Sequence, residues 1–494
     1  MTAVTRRLAL LALLLGTACG TTVSAQQQKF GGIDGLGGAA STSAATSGAT
    51  VSGGTQGGSL GSVGSSGATT SRTGGAAGST TGGSTGTSAQ LPGVTKGNSP
   101  VEVGLLVMKD LGQATEALGY KGLSTGDGPA QARAAVALLN KRGGLAGHPV
   151  TPVIFEQDAT KDATTQYQAA CSSFFDDHKV RAVVAWGLLP LVQACSEKAG
   201  VPFVTSGNRT TSLALLRQHS QTAIASQLSL DRMIPAWIAS LKKQGWFSPA
   251  SATEQVKIGL IFNEDNDYAQ VPQMVNAALG SAGEKLSAQQ SMPGTDDSSK
   301  VASASSAGSN AALKFASLGV NRVLTVDKSG QAIAYFAIAA QSQGYYPRYG
   351  VSSLELPSAL RTVLSARQLQ GAAGIGWVPS TDVPTDAQPP LSENGTACVR
   401  AMVGAQQDMT LSATRLSALA TCDAVLLLGA AWSDPALSSS TFLSGLTRLG
   451  AGYAPVTALA DDFTSHRDGA SAFRPLAYGA ACDCFAYGGA AQRF

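Results

Sequence analysis

Seven cysteines, four histidines and one short acidic run are the residues of this 494-residue chain best suited to chemistry. Cys171 and Cys195 stand 24 residues apart, as do Cys398 and Cys422, while Cys482 and Cys484 form a C-x-C pair. Setting Cys19 aside leaves an even number, which favours disulfides over free thiols in a chain that leaves the reducing cytosol. Six cysteines permit fifteen connectivities. The repeated spacing favours three local pairings, with the C-x-C ring geometrically the tightest. His148, His178, His219 and His466 are scattered, with no pair at metal-ligand spacing. Cys482-x-Cys484 lacks the second cysteine pair of a zinc site. Glu264, Asp265 and Asp267 could hold Ca²⁺, but the EF-hand order with its distal Glu is missing, so they read as a solvated loop. Gly57-Gly58-Ser59-Leu60-Gly61 matches a nucleophile-elbow string with neither a strand before it nor a helix after it. No phosphate-binding loop follows any strand. The expectation is a protein with no catalytic residue, no metal and no cofactor.

Charged residues make up 13% of the chain and the net charge is +3, with no dense Lys/Arg run, so a nucleic-acid partner is not expected. Arg6 and Arg7 followed by the apolar run Leu8 to Leu15 read as an export signal over residues 1–25, too short to span a bilayer. Two processing readings stand open. Thr17-Ala18-Cys19 reads as a lipobox that would make Cys19 a lipidated N-terminus, although Gly16 stands where Leu is usual; Val23-Ser24-Ala25 reads as a cleavage site for release. Residues 26–98 are a Gly/Ser/Thr-rich linker, in which only Asp34, Arg72 and Lys96 are charged between 31 and 97. Such a segment cannot bury enough apolar surface to offset its ordering entropy and reads as a disordered tether. Its reach as a coil is roughly 45 Å.

From residue 100 the pattern alternates between strand and helix. Val101–Met108, Val150–Phe155, Val180–Trp186 and Val201–Val204 read as strands, with helices over Ala130–Leu139, Thr164–Phe175 and Leu191–Ala199 between them. The scheme restarts with strands at Lys257–Phe262, Arg322–Val326 and Arg348–Ser352 and helices at Val271–Ala282 and Ser329–Ser342. The alternation predicts an α/β fold of two doubly wound parallel-sheet lobes with a cleft between them.

Five stretches carry a likeness to a family. They are Val103-Gly104-Leu105-Leu106, the turn from Asn140 through Gly143-Gly144 and Gly147 to Val150, Asp158 after the second strand, Gly200-Val201-Pro202 with Thr205-Ser206-Gly207, and Asn266-Asp267-Tyr268-Ala269. In these the chain resembles the type I periplasmic binding proteins, the branched-chain amino-acid (Leu/Ile/Val-binding-like) class of ABC transporter substrate-binding protein. The resemblance covers about residues 100–494 and implies lobe 1 over 99–225 and 375–458, and lobe 2 over 226–374 and 459–494. The lobes would join through a three-segment hinge near Ala223–Leu230, Val326–Ser329 and Gly371–Val378.

The resemblance implies a non-enzymatic, extracytoplasmic solute receptor. Its expected partners are a small polar or amphipathic ligand, the permease subunits of an importer, and the membrane through an N-terminal lipid at Cys19. A monomer is expected; the alternative is an extracellular ligand sensor on the same fold. Ligands in open α/β sheets bind at the carboxyl ends of strands. That puts Lys109 to Gln113, Trp186 to Leu189 and Thr205 to Asn208 in the cleft from lobe 1. Tyr268, Asp327-Lys328-Ser329 and Ser352-Ser353 join them from lobe 2. The expected ligand contacts are Trp186, Gly187, Leu188, Thr205, Ser206, Tyr268, Lys328 and Ser352. The hydroxyl of Ser206 would hold a ligand oxygen, and Tyr268 would add a ring and a hydroxyl across the cleft. Amino-acid binders of the family hold the ligand's ammonium with a lobe-2 acid. Ser352-Ser353 takes that region here with Glu355 a few residues on, so a flatter or more apolar ligand is expected. The resemblance also joins the helices that carry Cys171 and Cys195.

Overall fold

Val101–Met108 (β1) is buried along most of its length because helices cover both faces of its sheet, as a parallel strand requires. The computed structural model describes residues 98–110, 124–158, 161–207, 210–294, 301–328 and 330–494. The signal, Cys19 and nearly all of the tether lie outside the described residues, as do Leu111 to Gln113, Asn208 and Ser329.

The helix Gly128–Lys141 (α1) begins where Asp127 accepts from the Ala130 N–H. It buries Gln131, Ala132, Ala135, Val136 and Leu139, one face at helical spacing. The turn that ends it explains its motif. The Asn140 amide clamps both backbone groups of Val150, donating to its carbonyl at 2.9 Å and accepting from its N–H at 2.8 Å. Gly144 has φ +69°, and a Cβ there would lie 1.9 Å from the His148 carbonyl oxygen, so only glycine fits. Val150–Gln157 (β2), Ala163–Ser172 (α2), Val183–Ala185 (β3), Pro190–Ala199 (α3), Phe203–Ser206 (β4), Leu213–Gln218 (α4) and Thr222–Ala225 (β5) complete a parallel sheet of order β2-β1-β3-β4-β5.

The second sheet follows the helix Leu230–Lys243 (α5). It uses Ile258–Asn263 (β6), Val271–Ser281 (α6), Leu286–Met292 (β7), Val301–Ser317 (α7), Arg322–Val326 (β8), Gln331–Ser342 (α8) and Arg348–Val351 (β9). Two short helices, Pro357–Val363 (α9) and Ala366–Leu369 (α10), lead to Ala373–Gly376 (β10) and Pro379–Asp382 (α11). The chain then returns to the first lobe as Glu393–Gly404 (α12), Ser412–Ala431 (α13) and Ser439–Leu449 (α14). It ends in the second sheet as Ala472–Gly479 (β11), Cys484–Tyr487 (β12) and Gln492–Arg493 (β13). Strands β7-β6-β8-β9-β10 run parallel, β11 pairs antiparallel with β10, and β12 and β13 pair antiparallel with β11. Helix α13 is long and apolar enough to cross a bilayer, but 72% of its apolar stretch is buried, where it packs on α1, α14 and β4. It is the core helix of the first lobe.

The lobes are joined at three crossings. The first follows β5 through Ser226–Ser229, the second leaves β10 at Trp377, and the third spans about residues 456–470. They are knitted together: Ile224 N–H donates to Arg467, Ala470 N–H to Gln227, and Leu459 N–H to Trp377. The expected crossing at Val326–Ser329 is corrected. Val326 ends β8, a central strand of the second sheet, and the βα step after it stays in that lobe. The third crossing lies instead in residues 456–470, where the expected lobe bounds at 458 and 459 had also placed it. Likewise β10 stays in the second sheet, so the second crossing begins after Gly376 rather than at 375.

Three disulfides are present: Cys171–Cys195, Cys398–Cys422 and Cys482–Cys484. The first ties α2 to α3, the second ties α12 to α13 inside the first core, and the third closes the turn between β11 and β12. A crosslink with separation 24 stabilises by about 3 kcal/mol in the chain-entropy view. The Cys398→Ala/Cys422→Ala double variant should therefore unfold at a clearly lower urea concentration with little change in slope. An unchanged midpoint would show that the buried crosslink contributes nothing.

Candidate functional site

Strand order reverses between β1 and β3 in the first sheet and between β6 and β8 in the second. Crevices at such switch points are where open α/β sheets bind ligands. At the lobe-1 edge, Lys109 pairs with Asp158 at 3.4 Å, and the Trp186 indole N–H donates to Gln157 Oε1 at 3.0 Å. Trp186 is half-buried, and Gly187 behind it is buried. Gly207, at φ +136°, lies so close that a Cβ would sit 3.3 Å from the Trp186 carbonyl oxygen. These residues form one wall, with Gln157 fixing the indole.

The other expected lobe-1 contacts are taken up elsewhere. Leu188 is buried against Leu216 and Ile224. Thr205 and Ser206 are buried, and the Ser206 hydroxyl donates to Asp423 Oδ2 at 3.2 Å rather than standing free for a ligand oxygen. The physical reason is α13, which brings a carboxylate against the end of β4. Asp423 is a hub for the hinge: Ser226 Oγ donates to it at 2.5 Å, Tyr453 Oη at 2.7 Å, Val456 N–H at 3.1 Å and Thr457 Oγ1 at 3.2 Å. Beside it, Asp461 accepts from Ser226 N–H at 2.9 Å, and Asp468 accepts from Ser229 N–H at 2.6 Å and Arg232 Nη1 at 2.9 Å. Burial holds the Asp423 and Asp461 carboxyls above the ordinary range; for Asp461 the nearby Asp423 adds to it. No sequence signal marked these aspartates, because they meet only when the crossings do.

In lobe 2, Lys328 pairs with Asp265 at 2.8 Å, and its N–H donates to Asn263 Oδ1 at 2.8 Å. Tyr268 does not face Thr205-Ser206-Gly207 as a free ring. A single 3₁₀ turn, Asn266–Tyr268, turns it into the cluster that α6 fills with Val271, Val275 and Leu279, where it is 1% exposed. Its hydroxyl donates to the Thr210 carbonyl across the lobe boundary at 3.3 Å. Ser352 is likewise engaged: it caps the short turn Ser353–Glu355, donating its hydroxyl to Glu355 Oε2 at 2.8 Å. Glu355 is fully buried, its Oε1 has no hydrogen-bond partner, and burial together with Asp327 raises its carboxyl well above the ordinary range. Asp382 accepts on Oδ2 from Tyr487 Oη at 2.6 Å, Ser353 Oγ at 2.9 Å and Val378 N–H at 3.0 Å.

The structure thus groups Trp186, Gly187 and Gly207 on one edge, and Asp265, Lys328, Ser352 and Glu355 on the other. Among the described residues, no three His, Cys, Asp or Glu side chains are placed to hold a metal ion. The hydroxyls of Ser206, Ser226, Tyr268, Ser352 and Ser353 donate to carboxylates or a backbone carbonyl, an arrangement that fixes loops.

No family model matches the sequence, and no curated relative does. Solved structures do match. The solute-binding protein of an ABC transporter from R. palustris, in complex with 4-hydroxybenzoate, superposes with a TM-score of 0.56 at 12% identity, over 80% of this chain and 97% of that one. The fold is that of the type I periplasmic binding proteins. A Streptococcus pneumoniae branched-chain amino acid transporter substrate-binding protein, in complex with isoleucine, matches at TM-score 0.52 and 14% identity, over 80% and 99% of the two chains. A possible leucine/isoleucine/valine-binding protein from Rhodopirellula baltica matches at 0.54 and 16%, over 80% and 96%. Within this periplasmic-binding-protein fold, the C-terminal hairpin β11–β12 widens the second sheet and delivers Tyr487 to Asp382.

Proposed function

We propose that the chain is an extracytoplasmic solute-binding protein that captures a small polar or amphipathic molecule between its lobes and delivers it to an ABC importer. The observation that supports this reading is a pair of doubly wound lobes, each with a strand-order switch point, joined by three hydrogen-bonded crossings. Such a hinge can close on a ligand that touches both lobes. Trp186 supplies an apolar wall, while Lys328 with Asp265 supplies polar contacts. The neighbours bound to 4-hydroxybenzoate and to isoleucine support a ligand with a carboxylate and an apolar body.

A melting-temperature screen against isoleucine, 4-hydroxybenzoate and related acids and amides identifies the solute. Scattering should then show compaction at saturation. Trp186→Ala should weaken binding at least roughly tenfold while leaving the melt of the free protein nearly unchanged. Tyr268→Ala is the poorer probe, since it also empties a core site. A bound solute with unaltered scattering and full affinity in Trp186→Ala would put the ligand outside the cleft.

A further inference from the structure

We propose that the seam between the second and third crossings is a second binding site, for a small organic monocarboxylate. A cavity of about 250 Å³ lies there, between α11 and residues 388–392 on one side, residues 455–459 on another, and Arg415 and Leu419 of α13 on the third. Two of its lining groups are donors with nothing to bind. Arg415 Nε is buried without a hydrogen-bond partner, and so is the Ser380 hydroxyl. No carboxylate among the described residues pairs with Arg415.

Buried polar groups are rarely left unpaired in folded proteins, so an Arg nitrogen and a hydroxyl lining one cavity call for an acceptor. The planar guanidinium fork matches a carboxylate, and a half-enclosed site strengthens that pairing relative to open water. Pro389, Leu391, Leu419 and Val456 form the rest of the wall, which suits an organic body better than a bare inorganic oxyanion. Trp186, Lys328 and Ser352 do not line it, so the site is separate from the cleft. Ser380 follows the second sheet and Arg415 belongs to the core helix of the first lobe. A ligand held by both would favour the lobe arrangement that keeps them together. Val456, in the cavity wall, also donates its N–H to Asp423, which links the seam to the hinge hub.

Calorimetric titration of the full chain with benzoate tests this, with benzamide as the uncharged isostere. Benzoate should bind, and benzamide at least about tenfold more weakly. Arg415→Gln should lose at least about tenfold in benzoate affinity and Ser380→Ala less. Melting curves verify that each variant is folded. If Arg415→Gln fails to fold, Arg415→Lys serves instead: it keeps the charge without the fork and should bind benzoate more weakly than the parent. Absence of benzoate binding, parental affinity in the Arg415 variant, or equal affinity for benzamide would overturn the proposal. Benzoate binding through Arg415 in a chain that takes no cleft solute would leave the seam standing and defeat the transport reading instead.

Discussion

Asp423→Ala should be the most damaging single substitution at the hinge, lowering stability by about 3–5 kcal/mol. The carboxylate is fully buried on α13 and accepts from Ser206, Ser226, Tyr453, Val456 and Thr457. These donors come from the end of β4, the first crossing, and the start of the third with Tyr453 just before it. Removing the acceptor leaves several buried donors unmade, and each orphaned group costs about 1–3 kcal/mol before relaxation. Asp423→Asn should be much milder. It keeps the shape and one carbonyl acceptor, and the hydroxyls can rotate to accept from its amide. Urea unfolding of the two variants checks this: the alanine midpoint should fall well below the asparagine midpoint. Equal midpoints would mean that the hub is a packing site and its hydrogen bonds contribute little.

Stability should fall as pH rises from about 4 to about 7, and Asp382→Asn should flatten much of that fall. Burial pushes the Asp382 carboxyl from 3.8 up to about 7, despite the hydrogen bonds from Tyr487, Ser353, Val378 and Thr381 that favour its charged form. Between those values the folded chain holds a proton that the unfolded chain has released, so raising the pH favours unfolding. A shift of this size corresponds to roughly 4 kcal/mol, complete once the pH passes the folded value. Glu355, Asp423 and Asp461 are raised for the same reason and act in the same direction. Asp162, Asp408 and Glu254 act in the opposite sense, and only as the pH falls through and below the ordinary carboxylate range. Hydrogen bonds from Thr165, Thr410 and Ala250 respectively hold them low. Thermal unfolding at closely spaced pH values should place the wild-type optimum on the acid side of neutrality. A midpoint that rises steadily from pH 4 to 7 would show that these carboxyls are ionised in the folded protein.

The two-lobed α/β architecture was legible because parallel strands covered on both faces are continuous apolar runs. Val101–Met108 and Arg322–Val326 could be bounded to the residue. The Asn140 to Val150 turn was legible because its glycines and asparagine answer local demands of φ and of the two backbone groups of Val150, ten residues after Asn140. The strand β7 was not. Leu286–Met292 alternates between exposed and half-buried residues at the sheet edge, and its Gln and Ser content hides the period. The strands after β10 were missed because they pair antiparallel, outside the repeating strand–helix rhythm.

The site divides along the same line. Residue type and position sufficed to put Trp186, Gly187 and Lys328 at the carboxyl ends of their strands, since a strand's carboxyl end is a property of its own chain direction. Whether Ser206, Tyr268 and Ser352 were free depended on what packs against them. Asp423 is 217 residues from Ser206, and Thr210 is 58 from Tyr268. The hinge carboxylates and the Arg415 seam are likewise encounters between segments distant in sequence. Local pattern carries the periodicity that buries an element, but a buried polar partner is chosen by the packing of the whole chain, and that only the tertiary structure decided.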